Sequence, residues 1–102
     1  MLNSLSPVYS EVMHSVISNA PYDYRGLQWC ISMLKSCCYS LTEEDFRYYY
    51  SELLDMIIDV CYDKSHAAKR YFQHQLWSVR NFYKFNVLHN ILHSPSNRHY
   101  FA

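Results

Sequence analysis

Between Pro21 and Pro95 the chain has no proline and a single glycine, Gly26, and the only other proline in its 102 residues is Pro7. Proline and glycine are the strongest breakers of regular backbone, so a stretch lacking them can stay helical for many turns. Their positions also punctuate the chain. Ser6-Pro7 reads as an N-cap followed by proline at the first helical position, where the missing N–H costs nothing. Val8, Tyr9, Val12, Met13, Val16 and Ile17 then recur at four-residue spacing, which predicts a helix over 7–19 that stops before Pro21.

A second helix is predicted over 24–39, starting at Asp23, with Leu27, Ile31, Leu34 and Cys38 on one face. Thr42-Glu43-Glu44-Asp45 is the clearest start signal: a threonine cap, three acids in the first turn to meet the helix dipole, and an acid at the third helical position. It opens a third helix, over 43–62, that turns Phe46, Tyr50, Leu53, Leu54, Ile57, Ile58 and Cys61 inward. Asp63-Lys64-Ser65 reads as a turn. From His66 to His93, Ala68, Phe72, Leu76, Val79, Tyr83, Val87 and Ile91 keep helical period, giving one long helix or two with a bend near Phe85-Asn86. No strand-like alternation persists. The fold class is therefore all-α, a compact bundle of about four helices with a long C-terminal helix. It forms a single domain over 1–102, with 94–102 as a loosely held tail.

At this length folding buries only about 60 to 65% of the chain's surface, enough for one core but not for a second or for a deep cleft. One glycine also excludes a glycine-rich phosphate loop. No catalytic constellation stands out, and no enzymatic role or cofactor is expected. The sequence shows no signal-peptide pattern and no apolar run of membrane-spanning length. Cys30, Cys37, Cys38 and Cys61 are accordingly expected as thiols.

Eleven Tyr, five Phe and two Trp suit a small core built from large rings, and they suit a base-stacking surface equally well. Nine Lys+Arg balance nine Asp+Glu, but the balance hides a division at Asp63-Lys64. Nine acids and three bases precede it, net −6; six bases, no acid and five of the six histidines follow it, net +6. On the fourth helix Lys69, Gln73, Trp77, Arg80 and Lys84 recur every three or four residues, a basic stripe of about 22 Å with an indole in its middle. With Arg70 beside it, this face is the candidate site for nucleic acid or for a protein partner. The competing expectation is that Glu52, Asp55 and Asp59 of the third helix pack against the stripe and neutralise it.

His89 and His93, four apart, could share a metal ion if Cys61, Cys37 or Cys38 completed the set. Dipole-stabilised surface histidines are the simpler expectation. Cys37 and Cys38 are adjacent and point about 100° apart on a helix, a poor chelate.

Trp29-Cys30-Ile31, then Ser40-Leu41-Thr42 with an acid-led helix, then Glu52-Leu53-Leu54-Asp55-Met56-Ile57-Ile58-Asp59-Val60 leading to Lys69-Arg70-Tyr71, resemble the small pre-coat proteins of plant geminiviruses. The resemblance covers roughly residues 24–77. It implies a suppressor of host RNA silencing that is not an enzyme and acts in the host cytoplasm or nucleus. It also implies a chain that often self-associates, aids virus movement, and binds RNA or a host silencing protein. Lys69, Arg70 and Tyr71 match the family's basic-aromatic positions, and Trp29 and Cys30 match its apolar core signature. Many members end in a cysteine-rich tail, whereas this chain ends Asn97-Arg98-His99-Tyr100-Phe101-Ala102, so roles tied to that tail do not carry over.

Overall fold

The computed structural model describes the backbone of residues 2–63 and 65–93, and side chains from 8 to 63 and from 65 to 92. Four helices, α1 (Leu2–Asn19), α2 (Tyr24–Cys37), α3 (Glu43–Val60) and α4 (His66–His93), run up, down, up and down, with a single 3-10 turn at Cys38–Ser40 between α2 and α3. The expected tail at 94–102 lies outside the described residues. α4 is one continuous helix, without the break considered near Phe85-Asn86.

Three helix bounds differ from the sequence reading, among them the end of α3, which falls at Val60 rather than at residue 62. α1 begins at Leu2 rather than at residue 7, so Pro7 lies in its second turn. A proline there withholds one N–H from the Asn3 carbonyl, a single lost bond near a helix end. α2 gives way at Cys37 to the 3-10 turn, which the Leu41 N–H closes onto the Cys38 carbonyl at 3.3 Å. The starts of α2 and α3 are both capped, the second as its sequence predicts. Asp23 accepts the Gly26 N–H at 2.9 Å, and Thr42 Oγ1 accepts the Asp45 N–H at 3.1 Å.

α2, α3 and α4 pack mutually, and α1 lies on the outer side of α2. Leu27, Cys30, Leu34, Leu53, Ile57 and Leu76 are fully buried at the centre. Each large aliphatic among them contributes about 1.5–3 kcal/mol by leaving water. Rings seal the joints: Phe46 of α3 stacks on Tyr83 of α4 with centroids 4.0 Å apart, while Tyr24 of α2 and Tyr39 of the 3-10 turn meet Phe72 and Phe82 of α4. Tyr49 of α3 reaches α1, donating to the Ser10 carbonyl at 2.7 Å.

Several expected inward positions turn out exposed. Val8 and Val12 of α1 and Ile58 of α3 face solvent, as do Val87 and Ile91 of α4. The apolar stripes are wider than the partner surface available to them. Trp29 is exposed as well, with the Arg25 guanidinium over its ring at 5.4 Å, so it is not a core residue.

Candidate nucleic-acid interface

α4 owes its reach to the absence of breakers after His66, and Ser65 Oγ accepts the Ala68 N–H at 3.4 Å at its start. Its buried residues Phe72, Leu76, Val79 and Tyr83 fix the rotation of the helix about its axis. At 100° per residue, Lys69, Arg70, Gln73, Trp77, Arg80 and Lys84 then share a sector about 100° wide. Lys69 is half-buried at its edge and the other five are exposed; Trp77 keeps 54% of its surface open to solvent.

The sector is not diametrically opposite the core. It leans toward α3, because Arg80 and Lys84 line a groove of about 250 Å³ together with Glu43, Phe46, Arg47, Tyr50 and Tyr83. Arg47 pairs with Glu43 one turn away at 2.8 Å, both highly exposed. Burial pushes the Tyr50 hydroxyl up from its ordinary pKa, and the nearby Arg80 charge pulls it part of the way back. Tyr83 is pushed up mainly by burial and further by Glu43, with Arg47 opposing. Further along, Arg70, Gln73, His74 and Trp77 border a shallow depression of about 330 Å³. The surface therefore alternates cations with ring faces along about 22 Å of helix.

The expectation that the α3 acids neutralise this stripe is overturned. Glu52, Asp55 and Asp59 lie on the flank of α3 beyond Tyr49 and Met56, which faces α1 and α2, whereas α4 lies on the Tyr50 flank. The acids surround Tyr22 instead, at the corner between α1 and α2. Tyr22 Oη donates to Asp59 at 2.7 Å, and its pKa is pushed up to about 12, first by that bond and then by burial and by the charges of Asp59, Asp55 and Glu52. None of Lys69, Arg70, Arg80 and Lys84 lies within ion-pair distance of a described carboxylate.

The structure separates the candidate metal ligands. Cys61 follows the end of α3, beside the start of α4, whereas His89 lies 23 residues along α4 from His66, about 35 Å away along the helix axis. The side chain of His93 is outside the description. No group of three or more His, Cys, Asp or Glu able to hold a metal ion occurs among the described residues. The four cysteines are buried thiols. Burial raises Cys30 and Cys38, and raises Cys37 to about 11, so these three stay protonated at neutral pH. No helix among the described residues is long and apolar enough to cross a membrane.

Arg47 and Tyr50 are the site residues that the sequence reading missed. The one local signal was Arg47 following the acid Glu43 at four residues, a pair that belongs to a single helix surface and says nothing about which neighbour lies beside it.

The chain matches no family model, no curated protein and no solved structure.

Proposed function

We propose that this chain binds RNA along the α3-facing flank of α4, and that it serves as a viral accessory protein that suppresses host RNA silencing. One observation carries the binding reading: a 22 Å row of cations flanking an exposed indole, with no described carboxylate paired to it. Lys69, Arg70, Arg80 and Lys84 contact phosphates, Trp77 offers its ring face to a base, and Gln73 supplies both a hydrogen-bond donor and an acceptor between them. Arg47, paired with Glu43, forms the opposite wall of the groove. The viral part of the reading rests on the resemblance to the geminivirus pre-coat proteins in the segments that include Lys69-Arg70-Tyr71.

The test is RNA affinity measured across a salt series. Reversing Lys69, Arg70, Arg80 and Lys84 to Glu together lowers affinity at least 100-fold and flattens the log K against log salt slope by about 3, as the loss of roughly four phosphate contacts requires. Trp77→Ala weakens binding while leaving that slope unchanged, because a stacked ring releases no counterions. Full retention of RNA by the quadruple variant sinks the mechanism. Binding to a host silencing factor that ignores salt but collapses on Trp77→Ala moves the flank to a protein partner. In a plant-cell silencing assay the wild-type chain restores reporter expression, and the quadruple variant does not.

A further inference from the structure

The groove between α3 and α4 is built of more than cations. Its floor is aromatic: Phe46 stacks on Tyr83 with centroids 4.0 Å apart, and Tyr50, one turn further along α3, lies 6.0 Å from Phe46. Arg47 stands on the α3 wall with Glu43, and Arg80 and Lys84 stand on the α4 wall. The Arg80 charge acts on the Tyr50 hydroxyl and the Arg47 charge on that of Tyr83, so a guanidinium lies near each phenol. Three bases against one acid leave the lining at net +2.

Two sets of groups in it are unmet. Arg80 and Lys84 have no carboxylate partner among the described residues, and Glu43 is already held by Arg47. The hydroxyls of Tyr50 and Tyr83, on rings that are half-buried and buried, make no hydrogen bond among the described residues either. A hydroxyl on an enclosed ring is ordinarily satisfied. Both rings instead border an open volume of about 250 Å³, small for a ligand pocket and suited to one planar group carrying one phosphate.

We infer that this groove binds a nucleoside monophosphate. Charge selects the phosphate and its ester form. A monoester carries about −1.5 to −2 near neutral pH, which matches the lining, whereas each internal phosphate of a strand carries a single charge. The rings and hydroxyls select the rest. A nucleobase has a π-face for an aromatic floor, and the base and sugar edges offer the hydrogen-bond partners that the two phenols lack. A phosphorylated phenol side chain would match the charge and leave both hydroxyls unmet. The three bases thus take the phosphate, and Tyr50 and Tyr83 take the nucleoside. A free mononucleotide and the 5′-phosphorylated end of a strand offer this same chemistry.

Nucleotide binding here does not depend on RNA binding along the flank. The two share Arg80 and Lys84, but the groove also needs Arg47, Tyr50 and Tyr83, whereas the flank needs Lys69, Arg70 and Trp77. Bound mononucleotide therefore competes with RNA at the Lys84 end of the flank and leaves the Lys69 end open.

The test is equilibrium dialysis of the full chain against 5′-AMP, adenosine, inorganic phosphate and phenyl phosphate. AMP binds with a dissociation constant on the order of 100 μM, and the other three bind at least about ten-fold more weakly. Arg47→Glu takes the lining from net +2 to zero and weakens AMP at least about 30-fold. The Arg47 side chain is 77% exposed, so the variant keeps wild-type helicity and melting. Tyr50→Phe keeps the ring and removes the hydroxyl; it weakens AMP about five-fold and leaves inorganic phosphate unchanged. Lys69→Glu with Arg70→Glu, on the flank and outside the groove, leaves AMP within about two-fold of wild type and weakens RNA. A 5′-phosphorylated tetranucleotide that displaces AMP where its 5′-hydroxyl form does not puts strand ends in the groove, and failure to displace leaves it to free nucleotides; either result upholds the site.

AMP that binds no more tightly than inorganic phosphate overturns the proposal, as does AMP binding that survives Arg47→Glu undiminished. Phenyl phosphate binding more tightly than AMP gives the groove to phosphorylated tyrosine and also overturns it. AMP bound with RNA ignored shows that only the flank has failed, and RNA bound with AMP ignored that only the groove has.

Discussion

The two ends of the bundle are built on opposite principles. At the end holding the α1–α2 corner, backbone meets backbone. A Cβ placed on Gly26 would lie 1.6 Å from the Pro21 carbonyl oxygen, Asp23 caps α2, and Tyr22 is tied across to Asp59 of α3. At the other end the helices finish unevenly, and α4 runs on past α3 with five large apolar side chains in solvent. The tight end holds the helices in register. The uneven end leaves a surface over, and that surplus, together with the basic flank leading to it, is where a chain with so small a core has room for function. The difference is one of length: α3 spans about 27 Å and α4 about 42 Å, so the last turns of α4 have no counterpart.

The largest effect that could break this contrast comes from matched truncations on α4. Leu76→Ala removes a fully buried side chain and should cost about 2–5 kcal/mol. Leu88→Ala, 12 residues along the same helix, should stay within about 0.5 kcal/mol when measured by denaturant unfolding. Equal costs would mean that the overhang is packed after all.

Next in size is Gly26→Ala. The added methyl collides with a backbone carbonyl rather than a flexible side chain, so the corner must open, at about 3 kcal/mol or more. Alanine is otherwise the better helix former by about 1 kcal/mol, so a stabilised variant would show that the close approach does not constrain the corner. Thermal melts of the two proteins decide it.

What the sequence made legible, and what it did not, follows the same line. Helix identity and the starts of α2, α3 and α4 were readable because their causes are local: Asp23, the Thr42 cap, the acids after it and the missing breakers all act within a turn, whereas Ser6-Pro7 misplaced the start of α1, which lies at Leu2. The core of α2 was readable for the same reason, since a helix enclosed by three neighbours buries whatever apolar face it has. Partnership was not readable. Val87 and Ile91 continue the period of Phe72 to Tyr83 to the eye, yet both side chains are exposed. Glu52, Asp55 and Asp59 have the spacing to complement α4, but the rotation of α3, set by Phe46, Leu53 and Ile57, turns them toward Tyr22. The residues of the basic stripe share one sector of α4, as their spacing implies, while its tilt toward α3, and with it Arg47 and Tyr50, depended on that same rotation. Periodicity defines a face within one helix, and the facing element is fixed only when all four pack.

The smallest expected effect probes the tether at the tight end through pH. Tyr22 has its pKa raised in the folded state, from the ordinary 10 to about 12, chiefly because its hydroxyl donates to the Asp59 carboxylate and would lose that bond on ionising. The stabilisation is therefore complete below pH 10 and is lost as pH rises through 12. Cys37, raised to about 11 by burial and by its neighbour Cys38, acts in the same direction from a lower starting point, so wild-type stability should begin to decline above pH 9. Tyr22→Phe removes only the later portion. In paired urea titrations the variant is slightly less stable than wild type at pH 8, and the gap closes as pH approaches 12. Tyr22 is well exposed, so the gap is small, and its sign carries the information. A gap that widens with pH would mean that the phenol is held by something other than its bond to Asp59, and that the acids of α3 do not anchor the α1–α2 corner.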